Sequence, residues 1–318
     1  MHTQRGPRLT LSAPSTAQPA LAPRRPSKLV LGVSLLVMLI IWSLNFIVGK
    51  IALRHMDPLS LAALRLELAA LLILPIYLFR GKEARTPFRA RDTWTYVFLG
   101  FFGVVINQGF FTVGLDYTTS GHSSVVVAAG PVVILLLARA LKLEKITASK
   151  ILGMVISIGG VALLATEQGL NFRSPIMIGD LLTFAATSGY AIYTVYGKKV
   201  AQEYDSISMN TYNMVAAAIL LLPLAIWQGI RLDWGSVGWV GWGAMFYMAA
   251  FSSVAAYILF YWVLRFLSPS RVAVVSYFEP LTVVVLAAVL LGERPTGHLV
   301  AGGALVIFGV YLAERGSS

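Results

Sequence analysis

The sequence predicts an all-α integral membrane protein of ten transmembrane helices, arranged as two inverted five-helix repeats. Three observations predict it. The composition, 57% hydrophobic and 12% charged over 318 residues with a mean hydropathy of +0.76, is too apolar for one soluble core to absorb. Apolar runs of about 20 residues recur, each long enough to cross a hydrocarbon layer of roughly 30 Å as a helix. The two halves also align with each other at a nearly constant offset.

In chain order, residues 1–28 (MHTQRGPRLTLSAPSTAQPALAPRRPSK) are rich in Pro, Ser, Thr and Arg without an apolar period, which predicts a disordered cytoplasmic tail. The apolar stretch after Lys28 is too long for a signal-peptide core and runs into Trp42 and Asn45 without an A-x-A-like site. The ten expected spans are 29–49, 58–79, 94–115, 121–141, 147–166, 176–197, 207–229, 238–264, 269–291 and 296–313. Their connections are short and carry turn and cap signals. In Asp57-Pro58, for example, Asp can cap and Pro takes the first helical position. No soluble domain fits between them.

A formal net charge of +11 would point to nucleic acid in a soluble protein; here its distribution reads as orientation. With the N-terminus inside, 19 of the 25 Lys and Arg fall on the cytoplasmic side and five outside, and Arg65 lies within a span. Both termini are therefore expected in the cytoplasm of a multi-pass plasma-membrane protein, with the lipid bilayer as its first partner. The absence of cysteine excludes disulfides and thiolate metal sites.

The repeat is visible at an offset of 149. GHSSVVVAAGPVVILLLARALKLEK, from Gly121, matches SRVAVVSYFEPLTVVVLAAVLLGER, from Ser270, so that Pro131 falls on Pro280 and Glu144 on Glu293. Further on, Gly153 falls on Gly302 and Gly160 on Gly309. At an offset of 148, Gly49-Lys50 falls on Gly197-Lys198 and Pro75 on Pro223. The units are taken as 29–167 and 175–315. Five helices is an odd number, so the second unit enters the membrane from the opposite side. A pseudo-two-fold axis in the membrane plane is a transporter architecture.

These residues carry a family resemblance. The repeated prolines with their acidic helix ends, the Trp-x-x-Asn-Phe of IWSLNFIVGK and the Arg of LAALRLELAAL make the chain resemble the EamA-type transporters of the drug/metabolite transporter superfamily, over roughly residues 30–315. The resemblance implies a ten-helix bundle that moves small organic metabolites, often amino acids, usually outward through a bacterial inner membrane.

Residues shared by the halves read as scaffold, and residues that differ leave room for function. Pro131 and Pro280 are shared and should kink their helices. Glu144 and Glu293 sit at helix ends beside Lys145 and Arg294 and read as caps or ion pairs. The residue before each proline differs: Gly130 in the first half, Glu279 in the second. Glu279 should lie near the bilayer midplane, where a charge costs at least about 2.5 kcal/mol. It reads either as a proton-coupling or substrate group, or as a neutral lock on the carbonyl that Pro280 frees. Arg65 has no copy either; it reads as a cation that snorkels to the outer interface or pairs, or as one that meets a substrate carboxylate or Glu279.

Trp42, Asn45 and Phe46 share a helix face with Gly49, and Tyr190 and Tyr193 are counterparts of the first two in the second half. With Asn107 and Gln108, Tyr257 and Tyr261, and Tyr277, they are the expected lining of a substrate cavity: rings for an apolar body, amides and hydroxyls for a polar end. His122, aligned with Arg271 at a helix end, reads as an interfacial anchor or part of an entrance.

No P-loop, metal-ligand pair of histidines or nucleophile elbow occurs, so no catalytic residue, cofactor or metal is expected. The expected function is secondary export of small amphipathic metabolites, amino acids with large apolar or aromatic side chains among them, by alternating access and with protons as a candidate coupling ion. The alternatives are a multidrug or cation efflux carrier, or a channel or other non-transporting membrane protein.

Overall fold

A computed structural model describes residues 26–141, 147–165, 167, 174–267, 272 and 275–315. The expected tail, Glu144, Lys145 and Arg271 lie outside the described residues, as does the side chain of Tyr277. The helices are α1 (Lys28–Leu53), α2 (Pro58–Leu78), α3 (Ala90–Tyr117), α4 (Ser120–Leu137), α5 (Ala148–Ala165), α6 (Pro175–Val200), α7 (Ser206–Arg231), α8 (Gly238–Phe266), α9 (Val275–Leu290) and α10 (Gly297–Arg315). Seven of them, α1–α4 and α6–α8, are long and apolar enough to cross a membrane; α5, α9 and α10 are apolar but shorter over their described residues.

Side-chain caps start these helices. Asp57 accepts from the Ser60 N–H (2.9 Å) ahead of Pro58, as its sequence position suggests, and Thr119 and Ser174 cap α4 and α6 in the same way. Each cap satisfies an N–H that would otherwise point unpaired toward the membrane interface.

Packing follows the exchange of each helix for the one five further on. α2 lies against α7, α4 against α9 and α5 against α10, while the contacts of α6 with α3 and α4 are repeated by α1 with α8 and α9. The α5–α10 contact is made of glycines, which let two backbones approach in a bilayer where apolar burial alone does not drive helices together. A Cβ on Gly160 would sit 2.6 Å from the Gly302 carbonyl oxygen, and one on Gly153 would strike that of Gly309. Outward-facing Leu71, Ile219 and Val289 remain exposed, as lipid-facing side chains should be.

The two prolines behave differently. The chain turns at Ala129, so Pro131 starts a new helical stretch after a break within α4, whereas Pro280 sits inside an uninterrupted α9. The expected kink is thus a break in the first half, and the equivalent position in the second is absorbed within one helix. Both α3 and α8 contain a π-helical middle, Phe101–Gly109 and Met248–Ala255, at equivalent positions of the two repeats. Such wide turns leave room for polar side chains and recur at functional sites.

The end of the bundle holding the α2–α3 and α6–α7 connections is tied by Asp205. Its carboxylate meets Arg80, accepts from the Thr86 N–H (2.8 Å) and the Ser208 hydroxyl, and caps α7. Burial alone would raise the Asp205 pKa, but the hydrogen bonds from Ser208, Thr86 and Arg80 outweigh it and hold it below the ordinary value. A depressed folded pKa stabilises above the unfolded value, about pH 4, and the contribution is lost as pH falls through the folded pKa. Asp205→Asn should therefore lower thermal stability at pH 7, by roughly 1–2 kcal/mol, and by less in acid. An equal loss at pH 7 and pH 3 in detergent melts would contradict this linkage.

Candidate functional site

A cavity enclosing about 680 Å³ of atom-free space, part of it continuous with solvent, lies between the repeats. α1 contributes Trp42, Asn45 and Phe46, α2 contributes Arg65, and α3 contributes Asn107, Gln108 and Phe111 from and just beyond its π-helical turn. Across from them stand Val127 of α4, Ala186, Thr187 and Tyr190 of α6, Ser252 and Tyr257 of α8, and Glu279 of α9.

One wall is aromatic. Trp42 meets Tyr190 and Tyr257 edge-on, with ring centres 6.1 and 5.9 Å apart, and Phe46 meets Phe111 at 4.9 Å. Edge-to-face contacts hold these rings in fixed orientations. The Tyr257 hydroxyl donates to Asn107 Oδ1 (2.7 Å) and the Asn107 amide donates to the Ala186 carbonyl (3.0 Å), tying α8, α3 and α6 together beside the space.

The opposite character is supplied by two charges. Arg65 is 1% exposed and donates from Nη2 to Gln108, at the backbone oxygen (3.3 Å) and Oε1 (3.2 Å). Ser253 donates to the same Oε1, which fixes the amide that holds the guanidinium. Arg65 Nε and Nη1 are buried without a partner. Glu279 is 4% exposed and, among the described residues, its carboxyl has no hydrogen-bond or ion-pair partner. Arg65 and Glu279 line one cavity without forming an ion pair. Buried donors and charges left unpaired are costly, so both groups favour a ligand that brings the complementary atoms.

Several sequence expectations change. Arg65 does not snorkel: the Gln108 contacts hold it inside. Glu279 makes no lock of the expected kind among the described residues. Tyr193, fully buried, packs its ring over Gly103 and against Phe260 and Tyr261, behind the cavity wall. Tyr261 is likewise behind the wall, its hydroxyl accepting from Asn213 Nδ2 (2.7 Å). Glu293 is a cap, accepting from the N–H groups of Ser120 (3.2 Å) and Gly121 (3.4 Å) at the start of α4. His122 is no interfacial anchor; it is 3% exposed, between Glu167 and Asp180. The sequence reading missed Phe111, Thr187 and Ser252. The Ser252-Ser253 pair inside an apolar run was the available signal.

A multi-pass helical bundle with a partly polar cavity between two related halves defines a membrane transporter of repeat architecture. The chain belongs to the EamA-like transporter family, which matches residues 30–166 and 177–314. An uncharacterized transporter of Archaeoglobus fulgidus is 30% identical over 274 residues, covering 86% of this chain and 95% of that protein. A Salmonella typhimurium protein named "Probable amino-acid metabolite efflux pump" is 28% identical over 293 residues, covering 87% and 92%. A crystal structure of 19% identity shares the fold with a TM-score of 0.64, over 92% of this chain and all of the other.

Proposed function

We propose that this protein is a secondary carrier that exports small amphipathic metabolites, amino acids with large apolar or aromatic side chains among them. The observation that carries the reading is the pairing, in one buried cavity, of an aromatic wall with an unpaired guanidinium and a separate carboxyl. The rings suit an apolar body, Arg65 a carboxylate and Glu279 a cationic end or a proton. The amino-acid assignment also draws support from the name of the Salmonella relative. A lipophilic-cation carrier would need Glu279 but would be repelled by Arg65.

In this reading all ten apolar helices cross the membrane, both termini are cytoplasmic, and the halves rock to expose the cavity alternately to each side. Reconstituted protein should catalyse saturable counterflow of phenylalanine; unsaturable flux would indicate a channel, and no flux would remove the carrier reading. The orientation is tested on the cysteine-free chain with Ser174→Cys at the start of α6. An impermeant thiol reagent should reach it in intact cells, and labelling only after permeabilisation would reverse the topology.

The ring positions separate wall from support. Tyr190→Ala should raise KM for aromatic substrates about fivefold, the equivalent of roughly 1 kcal/mol for a lost ring contact, and leave alanine nearly unaffected. Tyr193→Ala, behind the wall, should reduce transport of all substrates together through packing. The opposite pattern in a paired uptake assay would relocate the substrate.

A further inference from the structure

The cavity does not account for the buried charges at the end of the bundle that carries the α1–α2 and α3–α4 turns. There α4 and α6 meet along a polar seam. Thr118 Oγ1 donates to Asp180 Oδ1 (2.9 Å), His122 lies against Asp180, and Ser123 Oγ pairs with Thr183 Oγ1 at 3.2 Å. A turn further along, Thr187 lines the cavity. On α6, Asp180, Thr183 and Thr187 share one helical face, so the seam runs from the bundle end to the cavity.

His122 is held at both ring nitrogens: Nε2 is 2.6 Å from Glu167 Oε2, and Nδ1 is 3.2 Å from Asp180 Oδ2. A neutral imidazole has one N–H and one lone pair, so it can donate to only one of two carboxylates and must turn its lone pair toward the other. Only the imidazolium satisfies both, with charge-assisted bonds. His122 is on α4, Asp180 on α6, and Glu167 in the connection between the two repeats. Losing the ring proton therefore loosens a contact between the halves.

We propose that His122 is a proton-operated latch: protonated, it clamps the α4–α6 seam shut between the cavity and this end of the bundle, and deprotonated, it releases it. The groups facing it set the pH of release. Asp180 and Glu167 favour the imidazolium directly, and Glu293, which caps α4, adds negative charge. Lys50 of α1 faces Glu293 and Asp116 of α3 and offsets part of that field. Glu279 on α9 and Lys150 on α5 lie toward the cavity and the opposite end, and His298, opening α10, is exposed. The latch rests on the carrier reading only in that the seam it closes is called an exit.

The test uses purified protein with one introduced thiol. Thr183→Cys reports the seam, and Ser236→Cys, exposed on the connection between α7 and α8, reports intrinsic thiol reactivity at each pH. The ratio of their labelling rates should rise with pH through the histidine range, by up to about tenfold per pH unit for one linked proton. In a His122→Gln background it should be high and flat. A flat ratio with His122 present, or a rise that persists without it, overturns the latch. Should His122→Gln not fold, Glu167→Gln at the rim serves: with one carboxylate gone, the rise should move to lower pH, and an unmoved rise overturns the proposal. No substrate enters this measurement, so its failure leaves counterflow to decide the carrier reading.

Discussion

Arg65→Met should weaken binding of a carboxylate-bearing substrate on the order of a hundredfold, while the protein reaches the membrane at normal levels. The guanidinium is buried, holds Gln108 with one nitrogen and leaves two nitrogens unpaired. A desolvated cation that meets a substrate carboxylate contributes about 2–5 kcal/mol to the complex, and all of it is lost when the charge is removed. The empty protein pays the reverse penalty, since an uncompensated buried charge destabilises, and replacing it with an apolar side chain of similar length is neutral or stabilising. Affinity and thermal stability should therefore move in opposite directions. Arg65→Lys keeps the charge but loses the fork to Gln108, and should fall between the two. Binding by scintillation proximity and melting on the same preparations read both effects. Unchanged affinity in Arg65→Met would make Arg65 a strut for Gln108 alone.

Glu279→Gln should abolish pH-driven accumulation while leaving exchange down a substrate gradient. The amide keeps the size and hydrogen-bonding capacity of the acid and removes its titration. If the wild-type carrier couples one proton, a difference of one pH unit supports up to about a tenfold substrate gradient; the variant should support none. The carboxyl faces the cavity with no partner among the described residues, so its proton can exchange with whatever occupies that space. Proteoliposomes with an imposed pH gradient check this directly. Wild-type accumulation by the variant would remove Glu279 from coupling.

Much of this was legible in the sequence, and the exceptions share a cause. Helices, caps and the internal offset are written in local patterns, so Asp57-Pro58 and the matched glycines read correctly. Trp42, Asn45, Phe46, Asn107, Tyr190 and Tyr257 line the cavity as their helical faces suggest. Tyr193 and Tyr261 point to the same interior and yet stand behind the wall, because periodicity gives a side chain's direction without the depth at which its helix sits. The π-helical turns add to this, since each shifts the face of everything that follows. His122 was misread because its partners lie 45 and 58 residues away, one in a connection and one near the start of α6, where an acid reads as ordinary. Arg65 likewise depends on Gln108, a contact between helices that no local pattern announces.

The glycine contact between α5 and α10 has a meaning for assembly. Gly153 packs on Gly309 and Gly160 on Gly302, and by the internal alignment Gly302 is the counterpart of Gly153 and Gly309 of Gly160. Each helix thus brings both members of the contact, and two copies of α5 laid antiparallel would present glycine to glycine at the same two points. The surface is self-complementary in the manner of a two-fold dimer interface, although it is now formed within one chain. What the covalent link between the halves adds at this contact is therefore stoichiometry and choice of partner: one of each half, held at high effective concentration, where unlinked halves would be free to pair with their own kind.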